Sequence, residues 1–225
     1  MTFAARALRF FKSLDFPAAL PKSVELMNPY RDAATFGYVT AFFDKFYSDD
    51  AERVSLWGIN PGRHGGGLTG LAFTDPIALK EYLGIEHSLT GRREPSSMFI
   101  YNVIERFGGA EKFYGRFYIN SLSPLGFTRL GRNYNFYDDA QLLTVAMPFI
   151  VSSMRAQLKF GVRRHVAICL GTGKLYDVFT DINHTEGFFK KIIPVEHPRF
   201  VMQYRRKRQA EFVEKYLDTL SRALT

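Results

Sequence analysis

The chain has 225 residues, a formal net charge of +8 and an apolar fraction of 46%, with 22 Phe, 12 Tyr and one Cys. That length and aromatic content suit one large globular domain and exclude a disordered chain. The lone Cys169 excludes an internal disulfide and any Cys-rich zinc or iron–sulfur centre, and it fits a reducing, intracellular setting, cytoplasmic in a bacterium or nuclear in a eukaryote. The excess of cations points to a polyanionic partner, either nucleic acid or an anionic membrane surface. No apolar run reaches the roughly 18–20 residues needed to span a bilayer.

Phe3 to Phe16 reads as an amphipathic helix with Leu8, Phe11 and Leu14 on one side. Its Arg6, Arg9 and Lys12 are interspersed among apolar residues and no small-residue cleavage site follows, unlike a targeting peptide. After Pro17, Pro21 and an Asn28-Pro29-Tyr30 turn, a second helix runs from Asp32 to about Tyr47, with Phe36, Val39, Phe42, Phe43 and Phe46 at helical spacing. Val54 to Ile59 is a buried strand. It breaks at Asn60-Pro61-Gly62, where proline removes a donor and glycine permits a turn. Five glycines fall between Gly62 and Gly70, so backbone there has close access to a ligand.

Further helices are expected over Pro76 to Leu83 and Ser96 to Phe107, with a polar, basic, exposed segment from His87 to Pro95 between them. Phe113 to Ile119 suits a strand and ends at Asn120-Ser121-Leu122-Ser123-Pro124-Leu125. Gly126 to Tyr137 reads as a long aromatic and basic loop. Asp138 is expected to cap a helix to about Phe160 that is kinked at Pro148. A strand at Val166 to Leu170 leads through Gly171-Thr172-Gly173-Lys174 into a helix reaching about Ile182. Lys191 to Val195 is a strand ending at Glu196-His197-Pro198-Arg199. An amphipathic helix from about Gln203 closes the chain, with a stripe of Phe212, Val213, Tyr216, Leu217 and Leu220. Alternating strands and helices predict an α/β sandwich of three layers, with a central, mostly parallel four-stranded sheet. One domain is expected over 1–225: a helical part over 1–50, a motif-bearing core over 51–206 and a C-terminal helix over 203–225.

Four strands end in short polar motifs, and a parallel sheet brings such ends to one edge, where open α/β folds hold their ligands. The residue types restrict the chemistry. Asn60 accepts and donates hydrogen bonds but is a poor base, and His197 donates to a developing anion. No carboxylate cluster suits a metal-dependent phosphohydrolase. Gly171-Thr172-Gly173-Lys174 is not a Walker loop, because Ile168 stands where the first glycine belongs and Leu175 replaces the Ser/Thr. Its amides at a helix N-terminus still suit one phosphate.

These motifs resemble the uracil-DNA glycosylase superfamily, and within it the single-strand-selective monofunctional (SMUG) branch. The family's Asn-Pro-Gly, glycine-containing loop and Thr-Gly-x-x-Phe match Asn60-Pro61-Gly62 and Thr69-Gly70-Leu71-Ala72-Phe73. Its late His-Pro and DNA-inserting loop match His197-Pro198-Arg199-Phe200, and the turn at Gly171 matches a further strand-to-helix turn. The likeness spans roughly Val54 to Arg206. Two departures mark a divergent member, nearest the second SMUG-like group. Arg63-His64 stands where the family has Pro-Phe. The family's base-reading Asn position holds Ser121, while Asn120 lies one residue earlier.

The resemblance implies a monofunctional DNA glycosylase that hydrolyses the N-glycosidic bond of uracil or a related deaminated base flipped out of DNA, starting base excision repair. It implies Asn60 as the holder of the attacking water and His197 as the donor to the departing base. Gly62, Gly70 and Phe73 would line the base pocket, and either Asn120 or Ser121 would read the base. DNA would lie against Arg63, His64, Lys174, Pro198, Arg199, Phe200, Arg205 and Arg206, with Arg92, Arg93, Arg129, Arg132, Lys207 and Arg208 adding to the basic edge. The implied partner is single- or double-stranded DNA and not a membrane. A monomer without metal or organic cofactor is expected. The alternative is a non-catalytic nucleic-acid- or nucleotide-binding module of the same fold.

Overall fold

The computed structural model describes all 225 residues. The chain opens with α1 (Phe3–Lys12), where the Thr2 hydroxyl accepts from the Ala5 amide at 3.1 Å. This helix ends at Lys12, four residues short of the Phe16 that the sequence pattern predicts. A short strand, β1 (Val24–Met27), follows, and then α2 (Ala33–Phe46), capped by Asp32 accepting from the Thr35 amide at 2.7 Å. The central strand β2 (Arg53–Gly58) is buried along its whole length. Beyond it come α3 (Gly66–Thr69), α4 (Pro76–Glu81), α5 (Pro95–Phe107), α6 (Ala110–Tyr114) and β3 (Phe117–Ser121).

The segment after β3 is not a loop. It forms β4 (Gly126–Arg129) and β5 (Arg132–Tyr134), and with β1 these make an antiparallel sheet ordered β1-β4-β5. Arg, Asn and Gly conceal the strands from a pattern search, and pairing with β1 stabilises them. Next is α7 (Ala140–Leu158), capped by Asp139, which accepts from the Gln141 and Leu142 amides. Asp138, the cap expected from sequence, instead accepts from the Asn135 amide at 2.9 Å. The remaining elements are β6 (Val162–Leu170), α8 (Lys174–Glu186), β7 (Ile192–Val195), α9 (Pro198–Tyr204) and α10 (Gln209–Ala223). The stretch after His197 is therefore a helix and not a loop: Pro198 supplies a preset φ at its first position.

The main sheet is parallel throughout, ordered β3-β2-β6-β7, and flanked by helices. From β2 the chain builds outward to β3 on one side, then returns to add β6 on the other. That reversal creates a switch point at the C-terminal ends of the strands. Sixty buried apolar residues form one continuous core that includes Phe3, Ala7 and Phe11, so the first helix packs into the same interior as the sheet.

Arg53, fully buried at the start of β2, locks that interior. Its guanidinium lies 5.3 Å from the Phe3 ring and 5.0 Å from the Tyr47 ring. It donates to the carbonyls of Ala51 and Tyr114 and to the Asp49 carboxylate. Hydrogen bonding from Arg53 is the main cause holding the Asp49 carboxyl below the usual range. Removing the cation strands buried carbonyls, whereas Asp49 is largely exposed and hydrates when left alone. Arg53→Leu should therefore cost about 3–5 kcal/mol in urea denaturation, and Asp49→Asn, which takes the counter-charge from a buried guanidinium, should also destabilise, but by less, because the carbonyls and the two rings still face the cation.

Candidate active site

A cleft of about 460 Å³, including its open mouth, sits at the C-terminal edge of the parallel sheet. Its walls include Asn60, Gly62, Phe73, Glu94, Ser121, His197 and Arg199. The floor is set by a close approach between strand and ring. A Cβ on Gly58 would lie 2.7 Å from two atoms of the Phe73 ring and 3.4 Å from Ser121 Oγ, so only glycine lets the ring settle there. Phe73 itself adopts a φ of +55°, uncommon for a bulky residue and costly unless its surroundings enforce it. Its ring centroid is 6.0 Å from that of His197.

Asn60 follows β2 and is half-buried. Its amide nitrogen donates to the Tyr134 carbonyl at 3.2 Å and the Pro61 carbonyl at 3.3 Å, and its Oδ1 accepts from the Phe136 amide at 3.1 Å. Both amide hydrogens are thus committed to backbone, and one lone pair on Oδ1 remains to accept from a further donor.

His197 is the N-cap of α9. Its Nδ1 accepts from the Arg199 amide at 3.1 Å. Because a backbone N–H can only donate, the neutral ring carries its proton on Nε2. Burial, with the Arg199 cation adding to it, pushes the imidazole down to about 3. His197 is therefore a neutral donor at physiological pH. Protonating it opposes folding, so stability falls as pH drops from 6.5 towards about 3.

The alternation of β3 separates the two residues proposed to read the base. Ser121 faces the cleft, and its hydroxyl makes no hydrogen bond within the protein. Asn120 faces the other side of the sheet, where its amide donates to Tyr118 Oη at 2.8 Å and to Gln157 Oε1 at 2.5 Å. Asn120 is thus corrected from a base contact to part of a buried polar network. Gly70 is likewise corrected: it ends α3 in the left-handed conformation, packed against Val39, and does not line the cleft. Pro198 is buried as the first residue of α9 and presents no surface to DNA.

The cations border the cleft unequally. On one side lies a groove lined by His64, Arg92, Arg93 and Arg199, among others, with no hydrophobic residue. On another, Lys174 heads α8 beside His197 and Phe200, its ammonium donating to the Tyr137 carbonyl. Arg63 is turned onto the β4–β5 hairpin. Its amide donates to Asn133 Oδ1 at 2.9 Å, and its guanidinium donates to the Gly131 carbonyl and to His64 Nε2. Burial, then the Arg63 and Arg92 charges, hold His64 below its usual range. Arg205 lies 5.3 Å from the exposed Phe200 ring, Arg208 pairs with Glu211, and Arg206 and Lys207 make no ion pair. Among His, Cys, Asp and Glu, no group of three or more is placed to hold a metal, and no helix is long and apolar enough to cross a membrane. Cys169, at the end of β6, donates to the Gly171 carbonyl, and burial pushes its thiol up to about 12.

Three polar residues of the cleft escaped the sequence reading: Ser96, Asn135 and, most informative, Glu94. Glu94 occupies the N-cap position of α5 but caps nothing. Its carboxylate lies against the glycine loop instead, where a Cβ on Gly65 would collide with Oε2. Its own amide is held by Asp75 Oδ2 at 2.8 Å, and Asp75 Oδ1 caps α4. Burial raises the Glu94 carboxyl above 4.5 and Asp75 adds to the rise, against the Arg199 charge and the His64 amide. No local spacing joins Glu94 to Asn60; only the fold brings them together.

Residues 45–221 match the family model of the uracil DNA glycosylase superfamily. The chain belongs to that superfamily, on its SMUG-like branch. Its structure is similar to that of wild-type SMUG2 from Pedobacter heparinus: TM-score 0.96, 41% sequence identity, 98% of this chain and 97% of that chain covered. No curated protein matches the sequence. DNA is accordingly its macromolecular partner.

The raised carboxyl of Glu94 yields a pH test. An acid whose folded pKa lies above its unfolded value of 4.5 destabilises the fold as pH climbs through 4.5 to the folded pKa, and the penalty is complete above that. Glu94→Gln removes this titration. Urea denaturation from pH 4 to 8 should show the Gln variant gaining on the wild type as pH rises across that window, with no further gain beyond it.

Proposed function

We propose that this protein is a monofunctional glycosylase that hydrolyses the N-glycosidic bond of uracil and related deaminated bases extruded from DNA. The observation that carries the reading is the pairing of Asn60 Oδ1, with one free lone pair, and a neutral His197 Nε2–H around one cleft floored by Phe73. Extruding the nucleotide costs a few kcal/mol, less where it is unpaired. Phe73 stacks on the base. Ser121 faces its edge, and a single hydroxyl makes fewer demands than an amide, which favours a lesion range beyond uracil.

The C1′–N bond breaks with its electron pair passing to the base, leaving an oxocarbenium-like sugar. His197 donates to the base carbonyl where the negative charge gathers. A neutral donor suits this role, because it holds the anion without surrendering a proton early. A water hydrogen-bonded to Asn60 Oδ1 then adds to C1′, and the proton it sheds balances the departing base anion. The basic groove at Arg92 and Arg199, and the amides and ammonium at Lys174, hold phosphates on either side of the extruded nucleotide, with Arg206 and Lys207 as outlying contacts. Phe200 fills the gap in the stack. The protein acts as a monomer and uses neither metal nor organic cofactor.

The test is excision from oligonucleotides containing uracil, xanthine or hypoxanthine, read by alkaline cleavage of the abasic product. Asn60→Ala should lower kcat far more than DNA affinity. His197→Asn keeps a good helix cap, so stability should hold, while loss of the Nε2–H donor should raise the barrier by about 2.7–4 kcal/mol. Wild-type protein that binds these strands without releasing any base would favour the non-catalytic alternative.

A further inference from the structure

Five large apolar side chains are exposed: Met1, Met98, Leu130, Phe200 and Tyr204. Leu130 is the most exposed of them, at 82%. It sits at the tip of the β4–β5 hairpin, where Arg129 pairs with Arg132 across a two-residue turn. Both turn residues have positive φ, +49° at Leu130 and +69° at Gly131. Such a turn favours Asn or Gly at its first position. Leucine there meets a steric penalty and also leaves its side chain in water, and no contact inside the protein offsets either cost.

The tip is fixed beside the cleft. The Arg63 guanidinium donates to the Gly131 carbonyl, and three residues beyond the turn the Tyr134 carbonyl accepts from Asn60. Arg132 makes no ion pair. Arg129 lies over the Tyr134 ring at 5.5 Å and is 3.7 Å from Asp139. An apolar tip between two arginines, tied to the wall of the cleft, has the chemistry of a wedge for stacked bases: the apolar group enters the stack and the unpaired Arg132 meets a phosphate.

We propose that Leu130 inserts into the base stack of duplex DNA beside the extruded nucleotide, from the hairpin side of the cleft. It acts in addition to Phe200 on α9. The proposal rests on the glycosylase reading for its orientation on DNA, and the experiment separates the two.

Leu130→Asn gives the turn its preferred residue, so the melting temperature should stay level or rise. The probe is a duplex with 2-aminopurine next to either uracil or an abasic site. Wild-type protein should raise the 2-aminopurine fluorescence as the neighbouring base is unstacked. The Asn variant should lose more than half of that rise. Its kcat/KM on duplex uracil should fall about tenfold, while its rate on single-stranded uracil stays within about twofold, since no stack needs opening there. Leu130→Met should restore both signals. A full fluorescence rise and duplex rate in the Asn variant would overturn the proposal, as would an equal loss on single and double strands. If the wild type excises nothing, the glycosylase reading fails, and the abasic duplex still reports whether Leu130 enters the stack.

Discussion

The Asn60 side chain is the joint between the two sheets. It follows the end of β2 in the parallel sheet and is held by backbone at the end of the antiparallel hairpin and just beyond it, through Tyr134 and Phe136. Its orientation is therefore not a rotamer choice but a property of how the sheets meet. A side-chain amide rotating freely at a strand end would offer water a donor as readily as an acceptor. Committing both hydrogens to carbonyls leaves only an acceptor facing the cleft. The small sheet thus sets the polarity of the residue on which the rest of the site is arranged, and Arg63 fastens the same hairpin a second time.

Burial dominates the electrostatics of the cleft, and Arg199 on its wall acts on both of the groups that burial shifts. Burial keeps His197 neutral, and the adjacent Arg199 adds to that effect. Burial also favours the protonated form of Glu94, where Arg199 opposes it. A neutral donor in such surroundings needs no counter-charge and does not reorganise as an anion forms beside it, which is the circumstance in which a fixed dipole contributes most. The arginines and lysines at the rim serve attraction and alignment, and their contribution is screened by salt in a way that the interior's is not.

Much of the fold was legible because proline and glycine end its strands. Asn60-Pro61, Ser121 before Pro124, Gly171-Thr172-Gly173 and His197-Pro198 each mark a strand end, and parallel pairing brings those ends to one edge. The β1-β4-β5 sheet was not legible. Val24–Met27 is four residues long, and Gly126 to Tyr134 carries arginine, asparagine and glycine where a strand search looks for β-branched residues. The choice between Asn120 and Ser121 turned on strand phase. A period of two says that neighbours face opposite ways, but not which way is out, and Gly58 paired with Ser121 beneath Phe73 decides it. Glu94 was hidden for another reason. It sits in a polar stretch that reads as solvated, and its role depends on the distant glycine loop folding back against it.

Cys169 has a practical consequence. It is the only thiol in the chain, it is buried at the end of β6, and burial holds it protonated far above physiological pH. A thiolate is the form that reacts with oxidants and alkylating reagents, so the folded protein is close to inert towards both. Any cysteine engineered onto the surface becomes a unique attachment point without first removing a native one. Fluorophores, spin labels or crosslinkers can be placed one at a time around the rim of the cleft, with the wild-type protein as an unlabelled control.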